Sequence, residues 1–203
     1  MAGCRRHIKQ PFRFLVITDN LNDYPEGAEP WAIRDPALCN IKGCYARLRM
    51  FDPEWLAWIE VDRLLCLDLD LVVTGGLDAL VDRDEKFLIL KGANAANPCP
   101  YNGSVMYLRV GCAPEVWKDF TVAEAKKAPY FSFPDDQGWL WHKLPRAAGW
   151  KCGSDSGIYA FKKPGWPANS DALPPDARIV AFPGARDPRQ FTHLDWIKEH
   201  WRV

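Results

Sequence analysis

The stretch RLLCLDLDLVVTG, residues 63–75, holds two carboxylates inside one of the most apolar runs of the chain. Residues 64–73 predict a single buried strand. Side chains of a strand alternate between its faces, so Asp68 and Asp70 would share one face and the leucines around them the other. Because an unpaired carboxylate is costly to bury, each acid needs an arginine, backbone N–H groups or a metal ion beside it.

Two interpretations of the acid pair follow from the residues. Mg²⁺ and Mn²⁺ prefer oxygen ligands, so both carboxylates would converge on one such ion if the chain bends after them. An ion held there would bind a diphosphate and neutralise charge on a leaving group. Alternatively, the acids pair with arginines such as Arg63 or Arg47 and do no chemistry. The sequence leaves both interpretations open.

Composition and charge narrow the class of protein. The 203 residues, 48% of them apolar, suit a single domain over 1–203. Twenty-six basic and twenty-six acidic residues cancel, which argues against a nucleic-acid binder or a protein of anionic membrane surfaces. No apolar run approaches the roughly 20 residues of a transmembrane helix, and the start lacks the pattern of a signal peptide. Seven cysteines without a Cys-x-x-Cys pair predict reduced thiols and a cytoplasmic protein.

Apolar patterns and turn residues predict an alternation of strands and helices. Strands are predicted at 14–17, 64–73, 87–90, 104–110 and 178–182. Helices are predicted at 43–51, from Pro53 onward, and at 77–81, 115–127 and 135–144, whereas 21–40 is predicted as loop. This order indicates an α/β sheet whose ligands bind at the carboxyl ends of its strands. Residues 2–19 read as the end of a helix and a second strand, which predicts a chain truncated at its N-terminus.

Five segments in this order carry a resemblance: GCYARLRMF (43–51), LLCLDLDLVVTGGLDALVD (64–82), YNGSVMYLRVG (101–111), PDDQGWLWHKL (134–144) and RIVAFPGARDP (178–188). The chain resembles the metal-dependent glycosyltransferases of the GT-A fold, and among them the glycogenin and lipopolysaccharide galactosyltransferase-like group. The resemblance covers about residues 11–190. It implies a mixed α/β sheet flanked by helices, and transfer of a sugar from a nucleotide-diphosphate donor with retention of configuration.

The resemblance also implies roles for the acidic pair and for a nearby arginine. Asp68 and Asp70 correspond to the Asp-x-Asp pair that holds Mn²⁺, or Mg²⁺, on the diphosphate of a nucleotide sugar, with a UDP-sugar favoured. Arg47 would approach the donor, since a guanidinium offers phosphate or sugar oxygens a planar fork of donors. The acceptor, a carbohydrate or another molecule, is not implied.

Three later segments supply the remaining site residues that the resemblance implies. The sugar would contact Asn102 and, through backbone N–H groups, Gly103 and Ser104. Near the reacting centre would lie Asp136 and Gln137, with Asp135 as an adjacent alternative. From the last segment, phosphate would be approached by Gly184 and Arg186.

The sequence departs from this family at two places. Pro183 stands where the late loop usually carries a metal-binding histidine, so a third ligand would be lost or supplied by His142, His193 or His200. The usual lysine of that loop is absent as well, and Arg186 would take its place. The resemblance also predicts that the opening strand, which forms part of the nucleotide-base pocket in the family, is absent from this sequence.

Two further functions compete with glycosyl transfer for the same residues. Asp-Leu-Asp-Leu-Val after an apolar strand also matches a haloacid-dehalogenase-like phosphohydrolase, with Asp68 as nucleophile and Asp70 as acid/base. A non-catalytic remnant that keeps the glycosyltransferase fold is the third hypothesis.

For the single residues, purely structural roles are also open. Arg47 would be an ordinary surface arginine, Asn102 and Gly103 a tight turn before the strand, and Asp135 with Asp136 the charged start of a helix. His142 would be a packing residue of that helix.

Overall fold

The computed structural model describes residues 1–93 and 97–201. The α-helices of this part of the chain are α1 (Ala2–His7), α2 (Pro36–Cys39), α3 (Pro53–Leu56), α4 (Asp78–Val81), α5 (Glu115–Lys118), α6 (Val122–Lys127), α7 (Asp136–Lys143) and α8 (Asp195–His200). Two 3₁₀ helices cover Tyr45–Phe51 and Pro188–Phe191. The strands are β1 (Leu15–Thr18), β2 (Glu29–Ala32), β3 (Arg63–Leu67), β4 (Leu71–Val73), β5 (Phe87–Lys91), β6 (Tyr101–Arg109), β7 (Ala148–Lys151), β8 (Ile158–Ala160) and β9 (Ile179–Ala181).

The strands form three sheets. The largest has the order β3-β6-β5-β7, in which β6 is antiparallel to β3 and β5, and β5 is parallel to β7. A second sheet, β4-β9-β8, pairs β4 with β9 antiparallel and β8 with β9 parallel. The strands β1 and β2 form a parallel pair. Sheets of mixed direction flanked by helices agree with the predicted fold class.

The predicted single strand over 64–73 is wrong. The run forms β3 and β4, which belong to different sheets, and Asp68, Leu69 and Asp70 form the connection between them. Leu69 is 97% exposed, so it does not share a buried face with the leucines on either side. Aspartate is depleted in strands, and two of them interrupt the pairing here. The acid pair therefore marks the crossing from one sheet to the other.

Other predicted elements are confirmed or corrected by the structure. Strands β1, β5, β6 and β9, helix α7 and the helix start at Pro53 are confirmed. The predicted helix over 115–127 is wrong, because Thr121 caps a second helix: its Oγ1 accepts a hydrogen bond from Glu124 N at 3.1 Å. The predicted loop over 21–40 is wrong as well, since it contains β2 and α2, and the sequence patterns missed β7, β8 and α8.

Both faces of the central strands are buried. Ile89 of β5 and Met106 of β6 belong to a core with α7 and the first 3₁₀ helix, whereas Leu88 and Val105 belong to a core with the β4-β9-β8 sheet. This packing holds two layers of structure against opposite sides of the large sheet. The antiparallel pairing of β3 with β6 brings the end of β3 beside the start of β6, which is where the predicted site residues lie.

The seven cysteines are free thiols. In the described part of the chain, no helix is both long enough and apolar enough to cross a membrane.

Candidate active site

A cleft of about 340 Å³ opens where β3 ends and β6 begins. It is lined by predicted site residues from five segments of the chain: Arg47, Asp68, Asp70, Asn102, Gly103, Ser104, Asp136, Gln137 and Gly184. Arg186 lies outside this lining, and its Nη1 donates to the backbone oxygen of Phe161 at 2.5 Å. The structure thus brings all the predicted site residues except Arg186 together.

The acidic connection is held in place by its backbone. Asp68 N donates to Ser104 O at 3.0 Å, which extends the β3–β6 pairing by one bond. Phe182 N donates to Asp70 O at 3.0 Å, and this bond extends the β4–β9 pairing by one residue. The two aspartates are therefore fixed to different sheets while both side chains line the same cleft.

Arg47 is at the centre of the cleft wall. It extends from the first 3₁₀ helix, and its side chain is 16% exposed. Nη2 donates to Asp68 Oδ1 at 2.6 Å, and Nη1 donates to the backbone oxygen of Gly103 at 2.5 Å. Nε lies 3.0 Å from Asp136 Oδ2. One guanidinium therefore joins the acidic connection, the start of β6 and the start of α7.

The pairing of Asp68 with Arg47 confirms the predicted ion pair for one of the two acids. The second suggested partner, Arg63, binds the neighbouring Asp62 instead. Asp70 has no ion pair among the described residues.

Two carboxylates of the cleft, those of Asp70 and Asp136, have raised pKa values. Burial, and after it the charge of the neighbouring Asp68, raise the pKa of Asp70 to about 6. Burial also raises the pKa of Asp136 to about 7, which the charge of Arg47 opposes. Burial alone would lower the pKa of Arg47, but Asp136 and Asp68 raise it well above its ordinary value. Arg47 stays charged, so with Asp68 and Asp70 ionised the cleft carries an excess of one negative charge, and ionisation of Asp136 adds a second.

Asp136 Oδ2 has no hydrogen-bond donor among the described residues. The approach of Arg47 Nε to 3.0 Å is an ion pair without hydrogen-bond alignment. A buried acceptor left in this state is costly, and it lies at the wall of a cleft.

Asn102, Gly103 and Ser104 lie within β6, so the interpretation as a tight turn before the strand is wrong. The register between β5 and β6 shifts here: Leu90 pairs with Asn102, whereas Ile89 pairs with Met106. Asn102 Oδ1 accepts from Ser104 N at 3.1 Å. This shift in the β5–β6 pairing lets Asn102, Gly103 and Ser104 line the cleft.

The start of α7 supplies the opposite wall. Asp135 caps the helix, since its Oδ1 accepts from Gly138 N at 2.7 Å. Gln137 bridges this cap to β6: Nε2 donates to Asp135 Oδ2 at 3.0 Å, and Oε1 accepts from Gly103 N at 3.2 Å. The helix-start interpretation is therefore right for Asp135.

Comparison with known proteins shows the fold. No family model matches the chain, and no curated protein matches it significantly. Among solved structures, the galactosyltransferase LgtC in complex with donor and acceptor sugar analogues matches with a TM-score of 0.56 and 15% identity, over 100% of this chain and 89% of that chain. An active-site mutant of LgtC matches with a TM-score of 0.55 and 15% identity, over 96% of this chain and 88% of that chain. The chain has the GT-A fold. The predicted fold class is thereby confirmed, and at this identity the likeness shows the fold alone.

Within this GT-A fold, the cleft offers a cation two protein ligands. Asp68 and Asp70 provide hard oxygen donors at the cleft wall, and within the described part of the chain Asp70 forms no ion pair. Among residues 1–93 and 97–201, no group of three or more His, Cys, Asp and Glu side chains forms a metal site. Mg²⁺ is commonly held by one or two carboxylates together with water and substrate phosphates. The two aspartates therefore fit a metal that completes its coordination from a bound diphosphate.

The histidines considered as third ligands lie away from the cleft. His142 packs on Trp139 with ring centroids 5.7 Å apart, and His193 lies 6.3 Å from Phe191. His200 lies 6.1 Å from His7. Pro183 itself lines the cleft, where it offers no metal ligand.

Sequence reasoning missed several lining residues of the GT-A cleft. Cys44 and Cys99 lie in the lining, as do Asn97, Tyr101 and Phe133. Cys44 precedes the 3₁₀ helix in the left-handed conformation, with φ of 56°. The only sequence signal for Cys44 was its position after Gly43 and shortly before Arg47. The other four carry no pattern that separates them from packing residues.

We expect the cap of α7 to matter more for stability than an ordinary helix cap. Replacing Asp135 by alanine removes both the bond to Gly138 and the bond to Gln137, and the expected loss is about 2 kcal/mol in the free energy of unfolding. Asp35→Ala is the matched control, because the exposed Asp35 caps helix α2 through a single side-chain bond from Ala37 N at 2.9 Å, and about 1 kcal/mol is expected there. Urea denaturation measures both. Equal losses for the two variants would contradict the bridging role of Gln137.

Proposed function

We propose that this chain is a metal-dependent glycosyltransferase that moves a sugar from a nucleotide-diphosphate donor, favoured as a UDP-sugar, to an acceptor. The observation that carries the proposal is the convergence of Arg47, Asp68, Asp70, Asp136 and Gln137 on one cleft of a GT-A fold. LgtC, which shares this fold, was solved with donor and acceptor sugar analogues. The seven free thiols support a cytoplasmic setting.

The charge of the cleft supports the requirement for a metal ion. With Asp68 and Asp70 ionised and Arg47 charged, the cleft keeps an excess of negative charge and would repel an anionic diphosphate. Arg47 cannot compensate this, because its guanidinium is already used by three protein partners. Mn²⁺ or Mg²⁺ held by Asp68 and Asp70 would neutralise the departing diphosphate.

The remaining residues would bind and orient the sugar. Asp136 lines the cleft beside its ion pair with Arg47, and the bridge through Gln137 fixes the helix that carries it. The backbone N–H groups of Gly103 and Ser104 are already used by Gln137 and Asn102. We therefore assign the sugar contact in this segment to the amide NH₂ group of Asn102 rather than to the backbone.

Gly184 would let the late loop approach the diphosphate. Its φ is 85°, and a Cβ built there would meet no atom within 4 Å. A phosphate role for Arg186 would require it to leave the oxygen of Phe161.

Two alternatives have less support. A phosphohydrolase would need Asp68 as a free nucleophile, whereas its Oδ1 is bound by Arg47 at 2.6 Å, and the fold is that of a galactosyltransferase. A non-catalytic remnant is favoured by Pro183 in the cleft lining. Nucleotide binding separates this last alternative from the proposal.

Calorimetric titration of UDP into the protein, with and without Mn²⁺, tests the proposed function. We expect binding that needs Mn²⁺ and that the Asp68→Asn/Asp70→Asn double variant loses by more than tenfold, because both metal ligands are removed. Asp155→Asn, which changes an exposed aspartate, should bind as the wild type does. UDP binding that is unaffected by chelation would contradict the metal role, and folded protein without any UDP binding would favour the remnant.

A further inference from the structure

One edge of strand β3 has no partner strand. Asp68 N donates to Ser104 O at 3.0 Å, which marks the residues of β3 that face β6. In an antiparallel pair every second residue exchanges such bonds, so the backbone N–H and C=O groups of Leu65 and Leu67 point away from β6. These groups form no hydrogen bond with any residue of 1–93 or 97–201.

Strand β1 has an edge of the same kind. It pairs only with β2, and Glu29 N donates to Phe14 O at 2.8 Å. Every second residue from Phe14 onward therefore faces β2, whereas Leu15 and Ile17 point their backbone groups to the other side. Within the described ranges, these groups have no hydrogen-bond partner either. We define the open edges as the backbone groups of Leu15, Ile17, Leu65 and Leu67.

The two open edges lie between the same two cores. Ile17 of β1 and Cys66 of β3 pack against the core that contains α7. Phe14, which precedes β1, and Leu65 of β3 pack against the core that contains the β4-β9-β8 sheet. Apolar layers therefore cover both faces of β3 and continue to β1.

The starts of the two strands are held together, although in the described part of the chain no backbone bond joins the strands themselves. The guanidinium of Arg13, before β1, binds the backbone oxygen of Ile59, before β3. Every residue of β1 and β3 is partly exposed, whereas the first four residues of β5 are buried. Backbone polar groups between two cores are costly to leave unpaired. The exposure and the unpaired groups together indicate a place for one more strand.

We propose that the open edges bind an extended segment of another polypeptide, which adds one strand with apolar side chains on both of its faces. An extended backbone presents N–H and C=O groups along its edge and satisfies unpaired groups by strand addition. Because a core lies on each face of β3, the added side chains must be apolar on both faces. Residues 15–18 and 64–67 carry no charge, so pairing with them requires none. This inference goes beyond the proposed function and does not depend on it.

Amide hydrogen exchange, followed residue by residue by NMR, tests the open edges directly. In the free protein we expect the N–H groups of Leu65 and Leu67 to exchange at least about tenfold faster than those of Leu64 and Cys66, which face β6. A bound strand should slow the exchange of Leu65 and Leu67 and leave Leu64 and Cys66 unchanged. Docking through side chains alone would not select every second amide.

The probe for binding is a fluorescein-labelled peptide that copies residues 13–19, RFLVITD, whose central side chains are apolar on both faces. We expect it to bind the wild-type protein in fluorescence anisotropy. The same peptide with N-methyl groups on its central leucine, valine and isoleucine cannot donate the hydrogen bonds of a strand. It should bind at least about tenfold more weakly, the scale of one or two lost hydrogen bonds.

Two protein variants separate backbone pairing from side-chain packing. Leu65→Pro removes one N–H group of the open edges and leaves the bonds to β6 in place, and proline is found in strands where the N–H side faces outward. Leu65→Ala also removes the leucine side chain but keeps the N–H group. We expect Leu65→Pro to weaken peptide binding about tenfold more than Leu65→Ala does. Asp70→Asn should bind the peptide as the wild type does.

The inference is overturned if Leu65 and Leu67 are protected in the free protein as strongly as Leu64 and Cys66, since the edges would then already be paired. Protection that rises with protein concentration would overturn it in favour of a second copy of this chain. It is also overturned if the probe peptide does not bind, or if the N-methylated peptide binds as tightly. These measurements decide the matter even where Leu65→Pro fails to fold.

Discussion

Replacing Arg47 by alanine is expected to lower the free energy of unfolding by about 3 kcal/mol, the typical cost of removing one partner of a buried ion pair. The variant would leave Asp68 and Asp136 facing one another without a counter-charge, and the oxygen of Gly103 without its donor. The same change should abolish Mn²⁺-dependent UDP binding, because the acidic connection and α7 lose the group that joins them. Urea denaturation and calorimetry measure the two effects.

Two further variants make the Arg47 result specific. Arg47→Lys keeps the charge but cannot reach three partners with one planar fork, so we expect an intermediate loss of stability. Arg189→Ala is the control, because Arg189 is 75% exposed in its pair with Asp187, and exposed ion pairs contribute little to stability. If Arg47→Ala were as mild as Arg189→Ala, the central position of Arg47 would be wrong.

Replacing Gly103 by alanine is expected to disrupt the same site without removing any polar group. A Cβ at this position would clash with Arg47 Nη1 and lie 3.1 Å from Cζ. A free arginine would swing aside, but this one is held by Asp68 and Asp136. We therefore expect a loss of about 2 kcal/mol in the free energy of unfolding, and loss of UDP binding.

A double-mutant cycle checks the cause of that loss. In the Arg47→Ala background, Gly103→Ala should cost almost nothing, because the clash is gone, and the coupling energy should be about 2 kcal/mol. Gly76→Ala is the control, since the nearest atom to a Cβ there is Arg178 Nη1 at 3.9 Å. Additive losses for Arg47→Ala and Gly103→Ala would show that Gly103 is needed for another reason.

The positions of the site residues could be predicted from the sequence because their segments have a characteristic order. Asp68, Asn102 and Asp136 stand in short polar breaks after or before apolar runs, and the structure brings these breaks to one cleft. The contacts among them could not be predicted. The three partners of Arg47 are 21 to 89 residues away in sequence, and only the packing of α7 against β6 determines that one guanidinium reaches them all.

The elements that the patterns missed are short. Strands β7 and β8 have four and three residues, too few for an alternation to stand out from loop. The break after Leu67 was missed for the opposite reason, since the apolar run 64–73 continues across it while the chain changes sheets. The phosphate role of Arg186 was predicted only from its position in the late loop. Its bond to the backbone oxygen of Phe161 depends on a tertiary contact that the sequence does not reveal.

The change of sheet between Asp68 and Asp70 has a mechanical consequence. Each carboxylate is fixed to a different layer of the protein, so an ion bound by both would link the four-stranded sheet to the three-stranded one. By thermodynamic reciprocity, the free energy with which the ion holds the layers together equals the free energy by which their correct spacing favours the ion. Side chains between the layers, such as Val73 and Leu88, would then tune the ion's affinity without touching it.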